Sequence, residues 1–492
     1  MQDGVGPYPD GPSCACNVCG RLKDVDDQIR TAQALVANLL RTRQLVSTQI
    51  NLTHNKDLFH RMPNEVLGHI FEDCGPSYAL RVGAVCRRWR RIARSTPRLW
   101  TTIKIQLFSN IPWLNSTLDL AREWLSRSGQ LPLTINVTCY TMMNISSSQM
   151  NAMEAIIKLI NEYAHRWQDL QLRVPASLLQ GIRSDSQGRS TLRNLLIVCH
   201  ERTHFFPFSP QNARLHPTAV HIEYRFRLVD IEWNNVTHVV GNFSVDECLE
   251  MLRRAPRVTD FKLNKIFVDP SPTYPYPFPN CIVHPNLKSL SVSIPRPVPL
   301  LFHHASFPSL HELRCDGLGV MDDEEFLAFL ARSSHLHILY LEALEMQGST
   351  IVQILQTTKD LTDLDLRSQS PVHDNLFQLL AESSLAAADN NITPFLPGLQ
   401  CFNYRCSGIR SWDFLPKIFG PLSEIGSSHR RPLSKFSLSY SPSAMANAQP
   451  NIDEIAVLQI LELQHRGIQL EVSCAGKDVL KASLKAHKLL PA

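Results

Sequence analysis

Apolar residues recur with a regular spacing from about residue 165 of this 492-residue chain onwards. Each copy has an apolar residue, two spacers, a second apolar residue, one spacer and a third apolar residue. The alternation at its end is typical of a strand. The most regular copies start at Leu287, Leu310, Leu336 and Leu361, at spacings of 23, 26 and 25 residues. Helical periodicity fills the intervals, as in 322–333, so the pattern predicts repeated strand–helix units.

Further copies extend the pattern on both sides of this stretch. They start at Trp167, Leu192, Val258, Leu399 and Leu433, with weaker ones near Val220 and Val236. A single unit cannot bury its apolar side, so the units are expected to stack into a solenoid. Residues 165–475 therefore resemble a leucine-rich-repeat domain. The resemblance implies an elongated arc with its strands on the concave side, and an irregular one, because the Asn or Cys usual in each repeat is missing.

Proline interrupts the repeats at 270–280, a segment that reads Pro-Ser-Pro-Thr-Tyr-Pro-Tyr-Pro-Phe-Pro-Asn. Proline has no backbone N–H to donate, so this segment is not expected to hold a helix or a sheet ladder. We interpret it as a loop inserted between two repeats. A recognition surface in its own right is the alternative.

Alternate strand residues in the most regular repeats are expected to face away from the apolar core. These positions carry charges of both signs and one tyrosine. We predict that they bind a protein substrate, through Glu312, Arg314, Asp316, Tyr340, Glu342, Asp363, Asp365 and Arg367. The mixture of charges favours a protein partner, because nucleic acid would require a basic stripe. A solvated face without a partner is the alternative.

Two shorter apolar stripes lie between residues 62 and 100. Pro63 suits the first turn of a helix, where its missing N–H costs nothing, and the helix dipole favours Glu65 in that turn. The first stripe consists of Val66, Leu67, Ile70 and Phe71, and the second of Val82, Val85, Cys86, Trp89, Ile92 and Ala93. A break at 73–76 separates two predicted helices, and Pro97 ends the second.

Together with Thr96-Pro97-Arg98-Leu99-Trp100, these stripes resemble the F-box over residues 57–104. Met62 stands where the family pattern has Leu, a residue of similar volume. The resemblance implies docking onto a Skp-type adaptor of a cullin ubiquitin ligase. The adaptor-binding residues that it implies are Met62, Pro63, Val66, Leu67, Ile70, Val85, Cys86 and Trp89. A helical hairpin that only caps the next domain is the alternative.

A further stripe occupies a long amphipathic helix predicted over 21–56, after a Gly- and Pro-rich tail at 1–20 that is expected to be disordered. Its apolar residues are Leu22, Val25, Ile29, Ala32, Val36, Leu39, Val46 and Ile50. This is a heptad spacing that Arg43 interrupts. Because the stripe is short and contains Ala and Arg, we expect it to pack on the F-box helices. A self-associating coiled coil is the alternative.

Composition and motifs indicate no further chemistry. The net charge of +4 is small, and seven arginines between residues 81 and 98 are interpreted as a solvated helix face rather than a nucleic-acid site. Cys14, Cys16 and Cys19 lack a fourth metal ligand nearby and are interpreted as free thiols. No Gly-rich phosphate loop or nucleophile elbow occurs. We expect no metal, no cofactor and no catalytic activity.

Neither a signal peptide nor a membrane span is expected from the sequence. The first residues do not combine a basic start with an apolar core, and no apolar run approaches the length of a membrane span. The thirteen cysteines are odd in number and scattered, without the spacing of a disulfide framework. We therefore expect a cytoplasmic or nuclear protein with reduced thiols and no membrane partner.

The sequence thus predicts an α/β or α+β chain in which an all-helical F-box precedes an irregular leucine-rich-repeat solenoid. Residues 105–164 are predicted to form a linker or cap, and 476–492 a C-terminal tail. This organisation favours the substrate-recognition subunit of a Skp–cullin–F-box type ubiquitin ligase, which selects proteins for degradation. The alternative is a protein-binding scaffold of repeats that engages no ligase.

Overall fold

The computed structural model describes residues 17–53, 59, 62–75, 78–140, 145–184, 191–199, 214–223, 230–267, 281–293, 301–317, 323–343, 346–369, 374–385, 394–409, 411–421, 423, 430–441 and 451–489. Three features lie outside the described residues: residues 1–16 of the tail, the side chains of Cys14, Cys16 and Cys19, and the Pro-rich segment 270–280. The chain divides into two compact units, Met1–Thr96 and Pro97–Ala492.

The first unit is helical. Its helices are α1 (Asn17–Thr53), α2 (Asn64–Cys74), α3 (Ala79–Val85) and α4 (Arg87–Arg94). Helix α2 begins after Pro63 and ends at Gly75, whose φ of 86° is a left-handed conformation that suits glycine. Residues Leu67, Phe71 and Val82 are buried, as expected from the two stripes.

The second predicted helix of this unit is two helices. Cys86 has an extended backbone, with φ −155° and ψ 172°, and its Sγ accepts a hydrogen bond from the Trp89 N–H. This residue ends α3 and caps α4, so the stripe from Val82 to Ala93 does not lie on one continuous helix. The prediction of one continuous helix is wrong because a cysteine is not a usual N-cap residue.

Helix α1 contradicts the expected packing of its stripe. The apolar side chains along it stay exposed, by 63% at Leu22, 55% at Val36 and 48% at Ile50. All of its described side chains from 20 to 50 are exposed. The stripe is therefore not buried against the F-box helices.

The second unit alternates strands and helices. Its strands are β1 (Thr102–Leu107), β2 (Leu133–Cys139), β3 (Trp167–Arg173), β4 (Asn194–Val198), β5 (Ala219–Glu223), β6 (His238–Ser244), β7 (Asp260–Phe267), β8 (Ile282–Val283), β9 (Ser289–Ser293), β10 (Ala305–Ser306), β11 (Glu312–Asp316), β12 (Ile338–Ala343), β13 (Asp363–Ser368), β14 (Cys401–Cys406), β15 (Lys435–Tyr440), β16 (Gln469–Cys474) and β17 (Lys477–Asp478). Its α-helices are α5 (Ile111–Arg127), α6 (Ser147–Asn161), α7 (Ala176–Leu179), α8 (Val245–Arg254), α9 (Leu301–His304), α10 (Asp323–Ala331), α11 (Gly348–Thr357), α12 (Asp374–Leu385), α13 (Phe414–Lys417), α14 (Glu454–His465) and α15 (Val479–Ala486).

Fifteen of these strands form one sheet in chain order, from β1 to β17 without β8 and β10, which pair with each other. The pairs are parallel except for β16 with β17. The long parallel sheet is consistent with an α/β solenoid-like arrangement. At about 4.8 Å per strand it spans about 65 Å, and open sheets of this size curl. An elongated arc stays a prediction.

Every predicted copy of the repeat coincides with a strand, and the sheet also extends beyond 165–475. Strand β2 and the second half of β1 belong to residues 105–164, for which the sequence predicted a linker or cap, and both strands join the sheet. Helix α15 lies within the predicted C-terminal tail. The domain limits themselves stay a prediction. The extra strands follow longer intervals, with the 17-residue helix α5 between them, and for this reason the repeat period did not reveal them.

The core of this unit consists of in-register layers of apolar side chains. Leu313, Leu339, Leu364 and Phe402 are neighbours on successive strands, and each is buried. Several helices of this unit begin at a side-chain cap. Ser244 ends β6 and forms a reciprocal capping box with Glu247 at the start of α8.

Gly241 on β6 lies where the sheet register shifts, and no larger residue fits there. A Cβ at this position would be 2.1 Å from the carbonyl oxygen of Ile222 and 2.7 Å from the Phe243 ring. We expect Gly241→Ala to lower the free energy of unfolding by roughly 1–3 kcal/mol, because the backbone of β5 must move. Gly398→Ala is the control, since its Cβ would make an ordinary 3.4 Å contact. Equal thermal unfolding midpoints for the two variants would contradict this expectation.

Candidate docking surfaces

Helices α2, α3 and α4 present most of the residues that the F-box resemblance assigns to adaptor binding. Seven of the eight reach the surface wholly or partly: Met62, Pro63, Val66, Ile70, Val85, Cys86 and Trp89. Val66 and Val85 expose 43% and 62% of their surface. Exposed apolar side chains of this kind are available to a protein partner.

Leu67, the eighth residue, is fully buried. It contributes to the core that holds the helices rather than to the exposed surface. Conversely, Tyr78 and Leu80 expose 45% and 50% of their surface and were not singled out from the sequence. Helix α3 buries only Ala79 and Val82. The sequence did not indicate this, because it predicted α3 and α4 as one helix with a single apolar stripe. The adaptor-binding set stays a prediction.

Arg88 and Trp89 fix the helices relative to one another. The Trp89 ring packs 5.5 Å from Phe59 and 4.9 Å from Phe71, between ring centroids. Arg88 donates through Nη1 to the Phe59 carbonyl at 2.8 Å and through Nε to Asn64 Oδ1 at 3.2 Å. Arg88 is therefore a structural residue, in contrast to the solvated face expected for the arginines between 81 and 98.

The residues predicted to bind substrate lie together on β11, β12 and β13. They occupy the side of the sheet opposite the buried leucines, which we call the open face. Register places Arg314, Tyr340 and Asp365 in one row across the three strands, and β14 continues the row with Asn403. None of the eight predicted residues is buried. The strand alternation was thus sufficient to place them on one side.

Ion pairs on the open face join neighbouring strands. Arg367 Nη1 lies 2.7 Å from Glu342 Oε1, and Arg405 Nη2 lies 3.7 Å from Asp365 Oδ2. The arginine side chains are 55% and 56% exposed, whereas the carboxylate side chains are 21% and 19% exposed. The guanidinium groups therefore project further into solvent than the acids that hold them.

Tyr340 lies among these charges. The Arg314 guanidinium is 5.4 Å from the centre of its ring, a cation–π distance. Burial and the nearby carboxylates of Glu312, Asp363 and Asp365 raise the pKa of Tyr340, and Arg314 opposes this shift. The phenol is therefore neutral at physiological pH and keeps an O–H for donation.

Asp365 is the acid in this row most affected by its surroundings. Burial raises its pKa, while Arg405, Arg314 and a hydrogen bond from Asn403 favour the charged form. The row thus holds an acid that is partly withdrawn from water beside an amphipathic ring. Of the residues in this row, Tyr340 and Arg314 belong to the types that are enriched at protein interfaces.

Two other kinds of site are not found among the described residues. No group of three or more His, Cys, Asp or Glu there has the geometry to hold a metal ion. No helix in the described part of the chain is both long and apolar enough to cross a membrane.

Residues 59–106 match the F-box-like family model. This match covers the helical surface described above and extends into β1. F-box domains bind Skp1-type adaptors in general, and F-box proteins are generally non-catalytic adaptors. No curated protein matches the chain.

Among solved structures, the chain is similar to the one titled "Crystal structure of TLR13-ssRNA13 complex", at 13% identity and a TM-score of 0.31. The match covers 70% of this chain and 48% of that one, so the chain spans about half the length of its structural neighbour. A similarity this low indicates neither a shared ligand nor a shared assembly.

Proposed function

We propose that this protein is the substrate-recognition subunit of a Skp–cullin–F-box type ubiquitin ligase. The F-box-like match at 59–106 is the observation that carries the proposal. The helical unit would dock a Skp-family adaptor and so join a cullin scaffold. The sheet unit, an irregular leucine-rich-repeat domain in this proposal, would bind the protein to be degraded.

The exposed valines of the helical unit support the first half of this proposal. Val66 and Val85 lie on helices that Trp89 and Arg88 hold in place, so their exposure does not come from a poorly formed core. Fully burying an exposed valine contributes about 1.5–3 kcal/mol, and docking would add the part of this that belongs to the surface still exposed on each side chain. A cytoplasmic or nuclear location, where such adaptors act, forms part of the proposal.

Co-purification of the full chain with a Skp-type adaptor tests the proposal most directly. We expect a stoichiometric complex that survives size-exclusion chromatography and captures a cullin when one is added. A chain that stays separate from every adaptor paralogue supplied would favour the alternative function, a scaffold that engages no ligase.

The open face is proposed to hold the substrate through Tyr340 and Asp365. We expect Tyr340→Ala to weaken capture of the degraded partner by about 1–3 kcal/mol, as for a buried aromatic anchor. Adding Asp365→Lys should change selectivity, because charges at an interface govern partner choice and association rate. Proximity labelling of the wild type and this double variant in cells, with proteasome blocked, measures both effects.

Glu471→Lys provides a matched control for the charge reversal. Glu471 lies in the same row of the open face, three strands further along on β16. Glu471 is exposed, so the control should keep the thermal unfolding midpoint of the wild type. Asp365→Lys removes a 19% exposed, ion-paired carboxylate, so its unfolding midpoint is measured first to show that the double variant is still folded during labelling. If the double variant labels the same degraded proteins as the control, recognition lies elsewhere on the chain.

A further inference from the structure

Helix α1 is 37 residues long, about 55 Å, and no described side chain of it between residues 20 and 50 is buried. Most helical stability in proteins comes from packing an apolar face, and a helix exposed on all sides lacks that support. The large apolar residues at the stripe positions expose between 48% and 76% of their surface: Val18, Leu22, Val25, Ile29, Val36, Leu39, Val46 and Ile50. The described residues of a single copy therefore leave this face uncovered.

The spacing of the stripe alternates four and three without a break from Val18 to Ile50. This assigns Leu22, Ile29, Val36, Arg43 and Ile50 to heptad position a, and Val18, Val25, Ala32, Leu39 and Val46 to position d. A repeat of 3.5 residues over more than four heptads keeps the same seam facing a partner helix. Ile29, Val36 and Ile50 at position a are β-branched, as two-stranded coils prefer. Leu39, however, is the one leucine among the d positions, so the number of strands has to be argued from the flanking residues.

The residues beside the seam indicate which helix covers it. In a parallel, in-register pair, a residue at position g lies beside the e residue five positions further along the other helix. Four such pairs occur within α1: Arg21 with Asp26, Gln28 with Gln33, Leu35 with Leu40, and Thr42 with Ser47. Each pair is complementary in chemistry, charge with opposite charge, amide with amide, leucine with leucine and hydroxyl with hydroxyl.

An antiparallel pair loses this complementarity. There, e residues lie beside e residues, and none of Asp26, Gln33, Leu40 and Ser47 is basic, so Asp26 has no cation opposite it. The exposed Leu35 and Leu40 would likewise no longer face each other. The sequence around the seam therefore fits a second copy of the same helix running in the same direction.

We propose that α1 forms a parallel two-stranded coiled coil with α1 of a second copy, so that the protein is a homodimer. The proposal goes beyond the proposed function and does not depend on adaptor binding. Arg43 interrupts the seam once, and a single polar residue at position a fixes register at a cost in stability. Its long side chain extends toward the edge of the seam, where its charge stays in water.

A pair of leucine substitutions tests the seam. Leu39 lies at position d and Leu45 outside the seam at position c, and they are 59% and 71% exposed on the same helix. Leu39→Asp should convert the full-length dimer to a monomer in size-exclusion chromatography with light scattering, because two carboxylates then meet at the seam. Leu45→Asp makes the same chemical change and should leave the dimer mass unchanged.

Two further tests are independent of misfolding, because each is read as a gain in association. Arg43→Leu should tighten the dimer at least tenfold in sedimentation equilibrium by removing the charge from the seam. Arg21→Asp should weaken it, and the double variant Arg21→Asp/Asp26→Arg should restore it, since the pair is then only reversed. The proposal would be overturned if the wild type were a monomer or a trimer. It would also be overturned if the two leucine variants had equal effects, or if the charge reversal failed to restore the dimer.

Discussion

A chain carrying Val66→Asp and Val85→Asp is expected to lose adaptor binding by more than about 100-fold, or about 2.7 kcal/mol. The two valines expose 43% and 62% of their surface, so the carboxylates are solvated in the free protein. Docking would bury them without partners, which is costly. Isothermal titration of the purified variant with a Skp-type adaptor measures the loss.

Val283→Asp is the matched control for this experiment. Val283 on β8 is 62% exposed, the same as Val85, but lies in the other unit of the chain. We expect the control to bind the adaptor as the wild type does. Leu67→Asp is unsuitable as a test, because Leu67 is fully buried and its substitution would unfold the helices themselves. Unchanged affinity in the double variant would exclude α2 and α3 as the docking surface.

The repeat pattern allowed the sheet to be predicted because strand alternation is a local property. Leu339 and Leu341 are buried and Tyr340 is not, as period two requires. The same rule brought the predicted substrate residues to one face. It did not reveal β1 and β2, whose spacing differs from the regular copies, although their burial alternates in the same way.

Features that depend on an unusual cap or on contacts distant in sequence escaped prediction. Nothing local shows that Cys86 leaves the helix and caps the next one, or that Arg88 reaches back to Phe59 and Asn64. For α1 the error was the reverse: packing of the stripe on the F-box helices was predicted, and the structure does not show it. Its heptad spacing was evident, but whether the cover is another element of the same chain cannot be read from periodicity.

A buried arginine is the most consequential of these unpredicted features. In the sequence, Arg430-Arg431-Pro432 has the composition of an exposed loop, yet Arg431 is only 6% exposed. Its guanidinium donates to the carbonyl oxygens of Leu380 at 2.9 Å, Phe395 at 2.7 Å and Leu396 at 3.0 Å, and also to the hydroxyl of Ser383. Arg431 thus links the end of α12 to the residues before β14.

The backbone at this site requires such support. Leu396 has a φ of 49°, a left-handed conformation that costs a non-glycine residue about 1–2 kcal/mol, and its side chain is buried. Conformations of this kind persist only where surrounding contacts over-determine them. Burial lowers the pKa of Arg431 to about 10, so the guanidinium still carries its charge and all its donors at neutral pH.

Arg431→Met is therefore expected to lower the free energy of unfolding by about 3–5 kcal/mol. The thioether fills part of the space but leaves buried carbonyl groups without donors, and each such group costs about 1–3 kcal/mol. Arg405→Met is the control, because Arg405 is 56% exposed and its ion pair with Asp365 is expected to contribute less than about 1 kcal/mol. Hydrogen exchange of peptides covering α12, β14 and β15 should accelerate in the first variant only. Equal protection in both variants would show that the guanidinium network does not hold this part of the sheet together.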